Sequence, residues 1–431
     1  MLLFLYSSFA KHRDYVIQTS SYGPGVSKMA SRTLQMLIII LASLATISAT
    51  DIFLPSLPSM AIYFGASEEA IQMTIPIYLL GALLGAPVLG SLSDYFGRRP
   101  VMLFGMAQFL FGTALCIYSP SLAFLLSGRF IQGFGAIVAP VVGWAIIQDL
   151  YPKDESAKIL SWIGSIICIA PLVAPGLGGY IHITFGWQGN FLIIFLFAAM
   201  TMLLMLFSKP KLRALPKKEK VSPLQTFKIY TLIFKDKSFL FYISFFSLLT
   251  CGEWCYLTLI PFYFENSLHL SPDIFGLYLS GSASFYILGT SLTPFILNWL
   301  GTSKTLAIGI ILSLAGSTLL LCVSLLAPAS PLLIVIAVGL YFFGTSVIWG
   351  PSVSKALQRF EDIRGAASAV RSVLVTTSSA LGGMVGSFLN DSSIVPLALF
   401  LLTMAIGCWV MFQKVQKLNS PIDAKNLKIS A

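Results

Sequence analysis

The chain has 431 residues, 56 % of them hydrophobic and only 10 % charged, with a formal net charge of +10. Soluble domains carry about 25 % charged residues, so composition excludes a soluble globular protein and points to an integral membrane protein. The basic balance does not imply nucleic acid, because the cations fall in loops along one side of the apolar runs.

A membrane-spanning helix needs roughly 20 apolar residues. Twelve such runs follow one another at 34–62, 70–92, 99–119, 122–148, 157–181, 188–207, 238–264, 273–297, 304–326, 331–354, 365–389 and 394–413. Backbone groups inside hydrocarbon must be satisfied internally, so each run is expected to be a helix. The short alternating strands of a transmembrane barrel are not present in the pattern.

Residues 1–28 read as an N-terminal extension. MLLFLYSSFA is too short to span and lacks a basic segment before its apolar stretch, so Met29 is an alternative start. Residues 29–208 hold the first six spans, 209–236 a cytoplasmic linker, 237–417 the last six, and 418–431 a tail. The linker carries Lys209, Lys211, Arg213, Lys217, Lys218 and Lys220 among Pro210, Pro216 and Pro223, and a short surface helix is expected in it. Arg98, Arg99, Lys153, Lys158, Lys304, Lys355, Arg359 and Arg364 share its side. The loops of the opposite side hold Glu68, Glu69 and Asp391 but no Lys or Arg. The excess of Lys and Arg on cytoplasmic loops then predicts that both termini are cytoplasmic, with membrane lipid as one partner of the basic linker.

The two sets of six spans resemble each other. GRFIQGFGAIVAP from Gly128 matches GLYFFGTSVIWGP from Gly339, with Gly128, Gly133 and Pro140 each finding a partner 211 residues later. A weaker match pairs Asp94 with Asn298 and Gly97 with Gly301. Parallel repeats of this kind place a binding site near the midplane, between the halves.

Ionisable residues inside spans cost about 2.5–3.5 kcal/mol on insertion scales, so each is a functional hypothesis. Asp51 lies seventeen residues after Leu34, in the outer half of span 1, with Pro55 and Pro58 loosening the helix beyond it. It reads either as an interfacial carboxylate reached by water or as a proton-binding group. A carboxyl shut away from water favours its neutral acid, and one opened to water favours the carboxylate. Alternate exposure to two sides therefore carries a proton. Arg129 near the start of span 4 reads either as an arginine that snorkels to the interface or as a cavity-side partner of such a group, with Gln132 three residues on and on the same face. Glu253 in span 7 is a candidate second proton or cation site, beside Trp254 and Tyr256, which offer rings for a ligand to stack on; paired to a hydroxyl or a partner helix, it is structural. Arg371 in span 11 is either a snorkelling cation or a group that recognises an anionic substrate. Tyr78, Trp144, Tyr256, Tyr286 and Trp349 are candidate cavity aromatics, although most aromatics in membrane helices only pack.

The loop between spans 2 and 3, GSLSDYFGRRPVM from Gly90 to Met102, concentrates Gly90, Asp94, Gly97, Arg98 and Arg99. Its pattern G-x-L-x-D-x-x-G-R-R resembles the loop 2–3 signature of the major facilitator superfamily. That resemblance implies an all-α membrane fold of twelve transmembrane helices in two six-helix bundles that rock around a central cavity. It also implies that Asp94 and Arg98 form a cytoplasmic latch that holds the halves together in the outward-open state; Asp149 at the end of span 4 is a candidate partner for Arg98. TDIFLPSLP resembles the span 1 signature of Bcr/CflA-like multidrug exporters, a group of the drug:proton antiporter type. GRFIQGFGA resembles the span 4 motif of proton-coupled members, and APGLGG the span 5 antiporter motif, here through Pro175, Gly176, Gly178 and Gly179. Ala174, Gln148 and Gln188 depart from the family pattern, which usually has Gly at the first position and Arg at the other two.

The resemblance implies a bacterial inner (plasma) membrane transporter that exports small amphipathic compounds, drugs or secreted metabolites. Proton coupling falls on Asp51, Arg129 and Glu253. The substrate cavity falls on Tyr78, Gln132, Trp144, Trp254, Tyr256, Trp349 and Arg371. The expected partners are protons, a small-molecule substrate and lipid, with a monomeric chain and no nucleic acid. No cofactor and no metal are expected, the proton gradient being the energy source. No nucleotide-binding loop of the G-x-x-x-x-G-K-S/T type is present, which argues against an ATP-driven pump, and no nucleophile–base pattern suggests an enzyme. A dedicated exporter of one anionic metabolite such as a siderophore, and a non-transporting receptor or sensor, remain as alternatives. The cysteines, Cys116, Cys168, Cys251, Cys255, Cys322 and Cys408, all fall in predicted spans and imply no disulfide framework.

Overall fold

A computed structural model describes residues 25–208, 223–360, 363–389 and 392–418. Expectations for residues 1–24, for the cations and prolines of 209–222, for Asp391 and for most of the tail lie outside the described residues. Among the described residues the secondary structure is helical throughout. Ten helical elements are long and apolar enough to cross a membrane. One of them, Pro272–Leu326, has 55 residues and is broken by non-helical backbone at Gly301 (φ 74°, ψ 170°), so it supplies both span 8 and span 9. Arg364–Phe388 supplies span 11; it is less apolar because it carries Arg371 and a run of Ser and Thr. Twelve spans result, as the resemblance implies.

The other spans are Thr33–Phe64 (span 1), Glu68–Phe96 (span 2), Arg98–Ile117 (span 3), Leu122–Leu150 (span 4), Trp162–Phe185 (span 5), Trp187–Phe207 (span 6), Lys237–Ser267 (span 7), Pro331–Gln358 (span 10) and Val395–Gln416 (span 12). Between the halves, Pro223–Lys235 forms the helix expected in the linker. Asp236 then caps span 7, accepting a hydrogen bond from the Phe239 N–H at 2.7 Å, and pairs with Arg359 at the end of span 10 at 3.1 Å.

Gly97 and Gly301 close corresponding tight turns, between spans 2 and 3 and between spans 8 and 9. Both have positive φ, 95° and 74°, where a Cβ is disfavoured. The weaker of the two repeat matches therefore has a backbone basis. The same 204-residue register continues into spans 3 and 9. Gly105 and Gly112 of span 3 lie against the backbone or side chains of span 4, and Gly309 and Gly316, 204 residues later, lie the same way against span 10. Small residues let helices approach closely where lipid supplies no hydrophobic drive.

Each half packs around its own interior, and the halves meet at the side opposite the basic loops, here called the far side. Spans 5 and 8 and spans 2 and 11 make the cross-half pairs. Hydrogen bonds join the halves there, among them Gly176 N–H to Ser280 Oγ at 3.1 Å, Asn266 Nδ2 to Glu68 Oε1 at 2.7 Å, and Ser387 Oγ to Met73 Sδ at 3.7 Å. The molecule is closed on the far side.

Candidate functional site

Span 1 is not one continuous helix. Regular helix ends at Asp51, a single 3₁₀ turn occupies Leu54–Ser56, and helix resumes at Leu57–Phe64. Pro55 and Pro58 stand in the first turns of the two pieces, where a residue without an N–H is tolerated; across the break the regular ladder gives way to tighter bonds such as Ser56 N–H to the Phe53 carbonyl at 2.8 Å. Span 5 fits against this break. Gly178 faces the Ile52 carbonyl with no space for a side chain. Span 6 ties it down: Asn190 Nδ2 donates to Ser56 Oγ at 2.8 Å and to the Gly178 carbonyl at 3.2 Å. Beyond it, the His182 ring meets Ser59 Oγ at 2.9 Å. Asp51 is thus the last residue of a helix that stops in the protein interior. It is 6 % exposed, and the hydrogen bond its carboxylate receives, from Thr50 Oγ1, is 3.2 Å long.

Arg129 does not snorkel. It is fully buried, at 0 % exposure. Its Nε donates to the Thr74 carbonyl at 3.2 Å and its Nη1 to the Ala49 carbonyl at 3.1 Å. Nη1 also donates to Gln132 Oε1. The rings of Phe53 and Tyr78 lie over the guanidinium at 4.3 and 4.4 Å. Span 4 is thereby clipped to spans 1 and 2 just below the break. Nη2 is buried without a hydrogen-bond partner. Asp51 lies within electrostatic reach of Arg129 but is not ion-paired to it.

Across the interface between the halves, Glu253 of span 7 is half-buried and lies within electrostatic reach of Asp51. The structure therefore brings the three residues Asp51, Arg129 and Glu253 to one level of the molecule.

The expected cavity residues divide. Gln132 donates to Thr113 Oγ1 at 2.9 Å and is fully buried between spans 3 and 4. Tyr78 is buried and gives its hydroxyl to the Thr46 carbonyl at 2.8 Å. Tyr256 is fully buried in an edge-on contact with Phe342, centroids 5.6 Å apart. Side-chain packing within a half occupies all three. Trp144 and Trp254 are half-buried. Trp144 follows a π-helical turn, Ala139–Gly143, a distortion that recurs at functional sites. Trp349 is 37 % exposed and stands 6.4 Å from Phe246. Arg371 is half-buried, donates to Ser372 Oγ at 3.3 Å and keeps Nε without a partner.

At the basic side Arg98 pairs with Asp94 at 2.6 Å and Asp149 at 3.0 Å and donates to Ser93 Oγ at 2.6 Å. Arg99 donates to the Met205 and Leu206 carbonyls at the end of span 6. Gly90 faces Val141 of span 4. These contacts lace spans 2, 3, 4 and 6 together, and all of them stay within the first half. Of the span 5 residues, Gly178 packs on span 1, and Pro175, Gly176 and Gly179 sit on the far-side seam. Gly176 makes the bond to Ser280, the Pro175 carbonyl packs on Gly276, and Gly179 packs on the Pro272 carbonyl. Sequence reasoning missed Ser280, Asn190 and Thr113. Asn190 stands out as an amide in an apolar run, whereas the two hydroxyls resemble many others in these spans.

Known proteins supply a further view. The Major Facilitator Superfamily profile matches residues 39–383. The chain is 26 % identical over 381 residues to the Multidrug resistance protein MdtL of Shewanella sp. (strain ANA-3), covering 88 % of this chain and 95 % of that protein. It is 28 % identical over 349 residues to a Bicyclomycin resistance protein homolog of Haemophilus influenzae, covering 80 % and 86 %. With the Uncharacterized MFS-type transporter YdgK of Bacillus subtilis it shares 26 % over 367 residues, covering 84 % and 90 %. The solved structure of a D-xylose-proton symporter superposes with a TM-score of 0.72 at 16 % identity, over 89 % of this chain and 97 % of that one. The xylose transporter XylE from E. coli, in a partially occluded inward open conformation, gives 0.68 at 15 %, with the same coverage. At such identity the structural likeness concerns the fold.

Proposed function

Because this chain belongs to the Major Facilitator Superfamily of membrane transporters, we propose that it is a proton-coupled exporter of small amphipathic compounds, acting by alternating access in a bacterial inner membrane with both termini cytoplasmic. The observation that carries the reading is the placement of Asp51. It ends a broken helix in the interior, beside a buried guanidinium, where the two halves face each other. Resemblance to drug-resistance relatives supports the substrate class, and the one-sided distribution of cations supports the orientation.

In this account the far-side seam opens and the basic side closes, so that Asp51 and then Glu253 meet outside water and take up protons. With the seam shut, as here, Asp51 is shut away from water and keeps its proton; water that reaches the same groups from the basic side then favours the carboxylates and takes the protons. Each proton that crosses 100 mV supplies about 2.3 kcal/mol, which drives substrate the other way. Arg129 holds the Asp51 turn and keeps a positive charge beside it. When the basic side closes, Asp94 and Arg98 exchange part of their first-half pairing for contacts with the second half. Trp144, Trp254 and Trp349 supply apolar surface for an amphipathic substrate.

The half-buried, incompletely bonded Arg371 favours a second reading, a dedicated exporter of one anionic metabolite. Reconstituted protein with an internal pH dye separates the two. Proton movement triggered by ethidium or chloramphenicol supports drug export; a response only to a carboxylate or catecholate siderophore supports the dedicated exporter. A response to none of them, with flux of none, contradicts both.

A further inference from the structure

Tyr341 of span 10 is fully buried, and its hydroxyl donates to the Leu249 carbonyl of span 7 at 2.9 Å. In the helix ladder that carbonyl is the acceptor for the Glu253 N–H, four residues on. Glu253 is preceded by Gly252, and a Cβ on Gly252 would collide with the Tyr341 hydroxyl. The tyrosine reaches the turn only because that position has no side chain. The first half has a parallel arrangement: Tyr78 donates to the Thr46 carbonyl at 2.8 Å, five residues before Asp51. The counterpart of Arg129, 211 residues on, is Leu340. At that position the second half carries no guanidinium, and the neighbouring tyrosine makes the contact to span 7.

From these contacts we infer that Tyr341 is a positioning residue for Glu253, anchoring from span 10 the turn that presents this carboxyl at the interface between the halves. The inference rests on the proposed proton role of Glu253. Its surroundings limit what else could set its behaviour. Asp51 of span 1, Tyr286 of span 8 and Tyr341 of span 10 lie within electrostatic reach of it, while Cys251 and Cys255 share its own helix. Span 11 presents Gly382 and Gly386 to the Cys251 and Cys255 backbone. Arg371 sits further toward the basic side, below the contact of Ser378 Oγ with the Ser247 carbonyl.

The test uses the full chain in detergent or liposomes, with dicyclohexylcarbodiimide, which modifies protonated carboxyls in apolar settings. Peptide mass mapping quantifies labelling at Glu253 and Asp51 separately across pH. In Tyr341→Phe, and independently in Gly252→Ala, the pH midpoint at Glu253 is expected to shift by about half a unit or more as water gains the loosened turn. The Asp51 midpoint, whose helix end is clipped in the other half by Arg129, moves by less than the Glu253 midpoint. An unchanged Glu253 midpoint in folded Tyr341→Phe overturns the inference. So do equal shifts at both carboxyls, which would mean general loosening, and the absence of Glu253 labelling at any pH. A Glu253→Gln protein with intact proton coupling would instead remove the functional reading beneath the inference, whatever the labelling shows.

Discussion

Arg129 has no ion-pair partner among the described residues, yet it is fully buried. An unpaired buried charge is tolerable only when hydrogen bonds and polarisable surfaces replace water. Here two main-chain carbonyls, the Gln132 side chain and two aromatic faces do so. A lysine has one ammonium and cannot reproduce that fork. Arg129→Lys is therefore expected to lose about 2–3 kcal/mol of stability, seen as a lower melting temperature in detergent, together with proton coupling. Unchanged melting would show that the clip is not structural. Asp51, Arg129 and Glu253 were legible in the sequence because ionisable residues are scarce in apolar runs. Their neighbours were less so. Tyr256 and Gln132 looked like cavity groups, but span periodicity does not say which face of a helix meets a neighbour within its own half, and both are consumed there.

Helix breaks set the shape of this molecule as much as helices do. Gly97 occupies φ 95°, ψ 156° at the turn between spans 2 and 3, a region open essentially to glycine alone. Gly97→Ala should cost about 1–3 kcal/mol and disturb the Arg98 pairs that follow it. Gly164→Ala, in a helix with open space around its Cβ position, serves as the control and is expected to melt like the wild type. Equal melting of both variants would contradict the assigned strain. The spans themselves were legible from apolar length, and the break in span 1 from its two prolines. The π-helical turns at Ala139–Gly143 and Tyr263–Ser267 were not, because one extra residue in a turn leaves no compositional trace. Gly301 lies inside a predicted gap of only six residues, 298–303, and the chain crosses it as a kink in an otherwise continuous helical path.

The two halves lean together on the far side, and that closure was not legible, since one sequence must encode both ends of a transport cycle. The repeat was legible through its paired glycines, which predicted symmetry but not state. Met73→Cys with Ser387→Cys places two thiols across the seam that Ser387 and Met73 now bridge. Oxidation is expected to cross-link them and stop transport, with recovery on reduction; transport that continues through the cross-link would mean the seam need not open. The central claim is that Asp51 carries the proton that drives substrate across. Its most direct test is proton flux into proteoliposomes under an imposed gradient, with substrate added, in wild type and Asp51→Asn. The account predicts substrate-dependent proton movement in the wild type and none in the variant, which should still fold. Equal proton movement in the two proteins would contradict it and move the carrier role to Glu253.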